Sequence, residues 1–402
     1  VGFLVPGHNE PELSIVVLLT HDPSLAARCI GSIEKIAGEL PPTETIFLLG
    51  GSSPEVREVI ASTDGARVID SPVNLGTSVG WQLGFNAARG RHVLLMHEDA
   101  AATAGMVPSL IEALDRNPDA AVVAPWLAER DGTEPDNCGW VWFKDQTYTR
   151  IAPEHVPPEL AGNPYAVDSV SSAISLWDRS SWLAGGGFDE RNFPALGVDA
   201  DACTSAWARG RAVLVDPRVV GIHRTGAMDD APGRLSGRFV RQFMLVRHQS
   251  LWLEKWHAVI DWYADRPEQA GPNELEMPAL RETQRRRAQQ LRIGGRFPVA
   301  EHPFTDPDSC GSTPVEVDQA LVERLSEAEH EAMDEYHLWL IGHSEQQQRE
   351  IEFLRQEIRT MSAREAGVID ERDRLGDDLD AIRGGRTWRL RSSLRRILGL
   401  HS

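Results

Sequence analysis

Five short apolar runs in the amino-terminal third of the chain set the tightest constraint on its fold. SIVVLLT (14–20), TIFLLG (45–50), ARVIDS (66–71), HVLLMH (92–97) and AAVVAPW (120–126) are each bounded by polar or turn residues. Runs of this length and composition fit strands buried on both faces. Between them lie SLAARCIGSIEKIAG, SPEVREVIAS, TSVGWQLGFNAARG and MVPSLIEALDRN, which read as helices. Strand and helix in strict turn imply βαβ units, hence an α/β fold whose mostly parallel sheet carries helices on both faces.

One of these strands ends unusually. LLMHEDA (94–100) passes from a continuous apolar run straight into His97, Glu98 and Asp99. Open parallel sheets present functional groups at the carboxyl ends of their strands, so three groups able to bind a metal or a proton there mark a candidate site. The first strand ends similarly in THDP, which places His21 and Asp22 on the same edge of the sheet.

NLGTSVGWQLGFNAARG (74–90) carries a second signal. Gly76, Gly80, Gly84 and Ala88 recur every fourth residue and form a bare stripe on one helix face. Each glycine costs a helix ~1 kcal/mol relative to alanine, so the stripe implies a close approach that outweighs the loss. The approaching body is either the sheet or a ligand at the helix amino terminus. The spacing is not the GxGxxG of a dinucleotide fingerprint.

Downstream the βαβ rhythm loosens into Trp- and Pro-rich stretches, then into VDSVSSAISLWDRSSWLAGGGFDERNFPALGVDADACTSAWARG and GIHRTG. From 263 to 314 the composition turns polar around a short basic helix, ALRETQRRRAQQLRI. Nothing catalytic is expected there. Residues 315–383 are glycine-poor and helical in pattern. With Ile351 at heptad position a, Leu354, Met361, Val368, Leu375 and Ile382 fall at d and Ile358 and Leu379 at a, while Glu365 and Arg372 take the two remaining a positions. A sustained 3.5-residue repeat predicts a coiled coil and a homodimer, the alternative being a helix folded back onto the catalytic domain. The last segment, 384–402, puts Leu390, Leu394, Ile397 and Leu398 on one helical face and Arg389, Arg391, Arg395 and Arg396 around the rest. Such a helix suits an anionic membrane surface or a docking contact with the acidic body.

Composition excludes some functions. The 402-residue chain has a formal net charge of −19, which argues against a nucleic-acid footprint over its surface. Cys29, Cys138, Cys203 and Cys310 are too dispersed for a metal knuckle or a disulfide framework, and read as reduced thiols of a cytoplasmic protein. No apolar stretch approaches the ~20 residues that cross a bilayer, and VGFLVPGHNEPEL has no secretory apolar region, so membrane contact is expected to be peripheral, at the inner face.

The blocks NLGTSVGWQLGFNAARG, MHEDA, GGGFDERNF with VDADAC, and GIHRTG occur in an order and spacing that resembles the family 2 glycosyltransferases of GT-A fold, over about residues 14–256. The resemblance implies a GT-A domain over 1–262 that moves a sugar, with inversion, from a nucleoside-diphosphate sugar to an acceptor hydroxyl. It also implies a divalent cofactor, Mn2+ or Mg2+. The family's Asp-x-Asp aligns with His97-Glu98-Asp99, so Asp99 is the implied metal ligand and His97 stands where the first acid would be. His223 of GIHRTG is the implied completing ligand. Within VDADAC, Asp199 is the implied base and Asp201 a supporting acid. His97, Glu98, Asn74, Gly76, His21 and Asp22 are expected near the donor. Gly187, Phe188 and Asp189 of GGGFDE are expected on the acceptor side with Trp177, one of four tryptophans, beside Trp140, Trp142 and Trp182, able to stack on sugars. LLGGSSPE (48–55) lacks the acid that usually contacts the nucleoside, so base recognition departs from the common pattern. The expected acceptor is a glycan or lipid-linked saccharide in surface polysaccharide or glycolipid synthesis, as in bacterial cell-envelope enzymes. The competing readings are a degenerate GT-A scaffold and a soluble natural-product glycosyltransferase.

Overall fold

The computed structural model describes residues 10–262 except 73, 75, 130–134, 143–147, 157, 185–186, 190–191, 194–195 and 225–237, together with residue 385 and helical residues between 334 and 381. In chain order the elements are β1 (Leu13–Leu19), α1 (Pro23–Ile36), β2 (Thr43–Gly50), α2 (Pro54–Ala61), β3 (Ala66–Ser71), α3 (Gly76–Ala87), β4 (His92–His97), β5 (Ala100–Ala101), α4 (Met106–Arg116) and β6 (Ala120–Ala128). They continue with β7 (Pro135–Asn137), β8 (Trp140–Trp142), β9 (Tyr148–Arg150), β10 (Tyr165–Ala166), β11 (Ile174–Asp178), α5 (Arg179–Leu183), α6 (Val198–Ala208), β12 (Ala212–His223) and α7 (Arg238–Trp262). The five strands expected from sequence appear with boundaries within two residues of those read from the apolar runs.

One large sheet runs β10-β12-β6-β11-β4-β1-β2-β3, with β5 on β12, β7 on β6, and β8 and β9 forming a separate hairpin. β3, β2, β1 and β4 pair in parallel, as do β6 and β12. β11 lies antiparallel between β4 and β6 and joins the two parallel halves. Its residues are buried as a block rather than alternately, which gave the sequence no period to show. β1 and β2 are buried along their whole length, so their side chains meet helices on both faces.

The helices follow from local chemistry. Asp22 opens α1 by accepting from the amides of Ser24 and Leu25 ahead of Pro23, and Leu25, Cys29, Ile33 and Ile36 form its buried face. Ser53 caps α2 on the amide of Val56. The glycine stripe of α3 faces the sheet. A Cβ on Gly80 would stand 2.8 Å from Leu18 Cδ1, and one on Gly84 would run into Val16 and stand 3.2 Å from Leu48 Cδ1. The helix backbone thus rides directly on β1 and β2.

A buried carboxylate ties this half together. Glu44 on β2 accepts from Ser14 Oγ of β1 at 2.8 Å, from the Arg89 amide at 2.7 Å, from Arg89 Nη2 at 2.8 Å and from Arg67 Nη1 of β3 at 2.9 Å. Burial alone would raise its pKa, but these donors outweigh it and hold the carboxyl below the ordinary glutamate value.

Contacts divide the chain into two compact units, Val1–Met333 and Asp334–Ser402. In the second, helix is described at 351–356, 360–361 and 372–381. The basic helix expected within 263–314 and the tail helix of 384–402 lie outside the described residues. Among the described residues no helix is long and apolar enough to cross a membrane.

Glu44→Ala should lower unfolding free energy by about 3 kcal/mol, because it strands two guanidinium groups and a buried hydroxyl while solvent takes over part of the arginines' loss. Since the folded-state pKa is depressed, the wild-type contribution is present above pH 4.5 and is lost as pH falls through the folded value, whereas the variant has none to lose. Urea melts of both chains between pH 7 and pH 3.5 measure this; a constant gap would rule it out.

Candidate active site

Three side chains from distant parts of the sequence meet where β4 ends. β4 is held in register by β1, with Leu18 opposite His97, and the His97 amide donates to Ala173 O at 3.0 Å just before β11 begins. After a tight turn, β5 zips antiparallel onto the end of β12, pairing Ala100 with His223 and Ala101 with Ile222. The Arg224 amide closes the arrangement on Asp99 O at 3.0 Å. These backbone bonds bring His223 to Asp99: Nε2 lies 3.5 Å from Asp99 Oδ1, and His97 Nδ1 lies 3.9 Å from the same oxygen.

The three groups form a ligand cluster. One donor atom each from His97, Asp99 and His223 lies within 4.8 Å of the others. His97 Nε2 and Asp99 Oδ1 are buried without a hydrogen-bond partner. Buried polar atoms are normally satisfied, so unsatisfied atoms on two members of this cluster fit a cation held among the three. Their protonation fits as well. Burial drives the His97 imidazole down to about 4, with Asp99 opposing and His223 reinforcing the shift, so the ring is neutral near pH 7. Burial would raise Asp99, but the facing His223 and His97 outweigh it and keep the carboxyl below the usual aspartate range. A neutral imidazole and an ionised carboxylate are the ligand forms a divalent metal needs. Two nitrogens and one oxygen suit Mn2+ better than Mg2+, which favours oxygen.

The orientation of His97 is set from α3. Trp81, fully buried, stacks on the imidazole with ring centroids 5.3 Å apart and planes 22° from parallel. The bare face of α3 brings its backbone against β1, and Trp81 follows Gly80 directly. The sequence showed the glycines but not that contact.

Asp199 sits in the first turn of α6, whose N-cap, Gly197, has φ +77°. Burial raises its pKa, while the amides of Ala200 and Ser172, its own amide and the nearby His223 oppose that rise. Asp199 Oδ1 accepts from the Ala200 amide at 3.1 Å. Asp199 is half-buried in this turn.

The remaining expected residues have other partners. Glu98 turns away from the cluster and is buried on β1, where it accepts from the Thr20 amide at 2.7 Å and Thr20 Oγ1 at 2.8 Å. It therefore braces the ends of β1 and β4 rather than facing a donor. His21 lies on the same edge, its Nδ1 3.7 Å from Glu98 Oε1. Asp22 is occupied as the cap of α1. Asn74 is exposed and accepts from the amide of Gly76, whose φ of +67° opens α3. In LLGGSSPE, Ser52 donates to Leu19 O at 2.8 Å and Ser53 caps α2, so both hydroxyls brace this edge of the sheet.

On the expected acceptor side, the structure places Phe188 and Trp177 in the core. Both are fully buried against Phe85, and Trp177 pairs with Val93 at the opposite end of β4 from the cluster. Trp182 stacks on Phe85 in the same aromatic block. Apolar area outweighs stacking on sugar for these rings. Gly187, with φ +81°, lies so close to Gln82 of α3 that a Cβ would collide with its amide. Asp189 and Asp201 share the ammonium of Lys255 on α7, each with an oxygen 2.8 Å away, and Trp256 Nε1 donates to Asp201 at 2.7 Å. Asp201 thus docks α7 onto α6. Lys255 was missed by sequence reasoning, although a lone ammonium inside LWLEKW was the available signal.

Known proteins resemble parts of this chain. Residues 14–158 match the model of glycosyl transferase family 2. The fold is similar to a structure of GalNAc-T7 with UDP, GalNAc and Mn2+, at 14% identity and TM-score 0.50, over 64% of this chain and 50% of that one. The chain therefore spans about half the length of that protein. A mannosyltransferase from Pyrobaculum calidifontis, in complex with GDP-Man and Mn2+, aligns over 84% of this chain and 90% of its own at 14% identity and TM-score 0.45. No curated protein matches the sequence.

Isothermal titration of Mn2+ into the full chain tests the cluster. Asp99→Ala should abolish binding. Trp81→Leu should weaken it by ~10–100-fold, the usual effect of losing a partner that orients a ligand, while Trp81→Phe should retain most of it. Unchanged affinity in Trp81→Leu would show that the ring does not hold His97.

Proposed function

Given a family 2 glycosyltransferase sequence over residues 14–158 and a GT-A sheet that delivers it to one edge, we propose that the chain transfers a sugar from a nucleoside-diphosphate donor to an acceptor hydroxyl. The observation that carries this reading is the convergence of His97, Asp99 and His223 at the carboxyl end of β4.

His97, Asp99 and His223 would hold a divalent cation, preferably Mn2+, which when bound offsets the charge gathering on the departing diphosphate. His21, the amide-rich start of α3 at Asn74 and Gly76, and the Ser52–Ser53 turn line the edge where the nucleoside would lie. Asp199 accepts the proton of the acceptor hydroxyl as its oxygen bonds to the anomeric carbon. The bond from that carbon to the diphosphate oxygen breaks in the same displacement, and its electron pair leaves with the nucleoside diphosphate. A single displacement inverts the anomeric configuration. The Lys255 bridge supports Asp199 indirectly by fixing the start of α6.

The acceptor in this reading is a glycan or lipid-linked saccharide of surface polysaccharide or glycolipid synthesis, supported by the basic amphipathic pattern of 384–402, which suits the inner face of a membrane. The heptad pattern of 315–383 supports pairing of two copies.

The test is thermal stability against UDP, dTDP, GDP and CMP and their common sugar conjugates, with Mn2+, Mg2+ or neither. One nucleotide should raise the melting temperature, more with Mn2+ than with Mg2+, and Asp99→Ala should lose the shift. With the donor so identified, Asp199→Asn should reduce kcat by ~10²–10⁴-fold while donor binding stays near wild type. No shift with any nucleotide would leave the scaffold reading, and full turnover in Asp199→Asn would remove the assigned base.

A further inference from the structure

The edge of the sheet opposite the ligand cluster gathers arginines whose charge no described residue neutralises. Arg209, which caps the end of α6, and Arg211, which precedes β12, both reach Ser181 of α5. Arg209 Nη1 donates to Ser181 O at 2.7 Å and its Nε to Ser205 O at 3.2 Å. Arg211 Nη2 donates to Ser181 Oγ, and to Ala120 O at 3.2 Å. Every oxygen in that set is uncharged. Arg211 Nε is buried without a hydrogen-bond partner among the described residues, and so are Nε and Nη2 of Arg179, two residues before Ser181 in the same helix.

A guanidinium withdrawn from water is ordinarily matched by a carboxylate, because it cannot shed its charge and desolvation is costly. Among the described residues no acid forms an ion pair with Arg179, Arg209 or Arg211. Asp178 is close enough to feel Arg211, but it turns Oδ1 to Ser180 Oγ at 2.6 Å and to the Ser181 amide at 2.8 Å. Burial, reinforced by the charge of Arg211, pulls Arg209 down to about 10. The last carbonyls of α6 offset only part of this, since a helix end carries about half an elementary charge.

We propose that Arg209 and Arg211 hold a phosphate dianion, either inorganic phosphate or the terminal group of a phosphate monoester, between α5 and the turn from α6 to β12. Two guanidinium groups without a counter-charge match a dianion better than a monoanion, and their planar forks suit phosphoryl oxygens. Ser181, buried, holds the two forks together through its carbonyl and hydroxyl oxygens, while both arginines remain partly open to solvent. The site stands apart from the ligand cluster. β12 starts beside it at Ala212 and ends at His223, after roughly 35 Å of strand. A dianion here joins α5, α6 and β12, and the proposal rests on no part of the transfer chemistry.

Thermal melting of the full chain in EDTA, at one ionic strength set with potassium chloride, tests this. Inorganic phosphate or methyl phosphate should raise the melting temperature with an apparent Kd on the order of 1 mM or tighter, whereas dimethyl phosphate, a monoanion, should not. A shift with methyl phosphate alone would identify a monoester as the ligand. Asp99→Ala should keep the shift, which separates this site from the ligand cluster. Arg211→Gln should weaken binding at least about tenfold, whereas the general salting effect of phosphate would survive that change. In the unaltered chain, where no variant has to fold, phosphate should slow amide hydrogen exchange in segments 179–184 and 205–212. No shift beyond chloride, an equal shift with dimethyl phosphate, loss of the shift in Asp99→Ala, full affinity in Arg211→Gln or no slowing in those segments would overturn the proposal. A Kd weaker than ~10 mM would also overturn it, as an adventitious ion only.

Discussion

A strand buried on both faces can meet a ligand only at its ends, and that constraint organises the rest of this molecule. β1, β2 and most of β4 are sealed between helix layers. Their backbone groups are used up by neighbouring strands, so the polar work moves to the edge where the strands stop. There, a two-residue strand, β5, recruits the far end of β12 and carries His223 to Asp99 across more than a hundred residues. The cluster is thus a by-product of satisfying backbone hydrogen bonds at the end of a sealed sheet.

Five buried or half-buried acids find their donors in different ways. Glu44, Glu98 and Asp201 have their oxygens occupied by several donors and serve to join elements: strands β1 to β3, the ends of β1 and β4, and α6 to α7. Asp99 keeps an oxygen unsatisfied, and Asp199 is held mainly by amides of its own turn and of Ser172 beside it. Desolvation acts on all five. What differs is which donors compensate it: side chains and amides of other elements for Glu44, Glu98 and Asp201, mostly local amides for Asp199.

The aromatic residues follow the same logic of competition. Trp177, Trp182 and Phe188 give their surface to one block around Phe85, while Trp81 spends its face on a single imidazole. Rings from one composition class thus fill different roles according to which neighbour the backbone brings within reach, and α3 reaches His97 because glycine lets it lie against β1.

The continuous apolar runs by themselves determined the parallel half of the sheet and the strand end at His97, Glu98 and Asp99, and the fourfold glycine spacing determined the striped helix, because spacing and length are local properties that each segment carries alone. The heptad spacing of the C-terminal segment is a local pattern of the same sort. Tertiary structure decided what no local pattern encodes: that β11 enters antiparallel, that Glu98 turns to Thr20 while Asp99 meets His223, that Lys255 claims Asp189 and Asp201, and that Trp177 is core. Each of those outcomes depends on which distant donor or surface arrives first at hydrogen-bond or van der Waals range. That is fixed by how strands register and helices pack, which a residue's neighbours in sequence do not record.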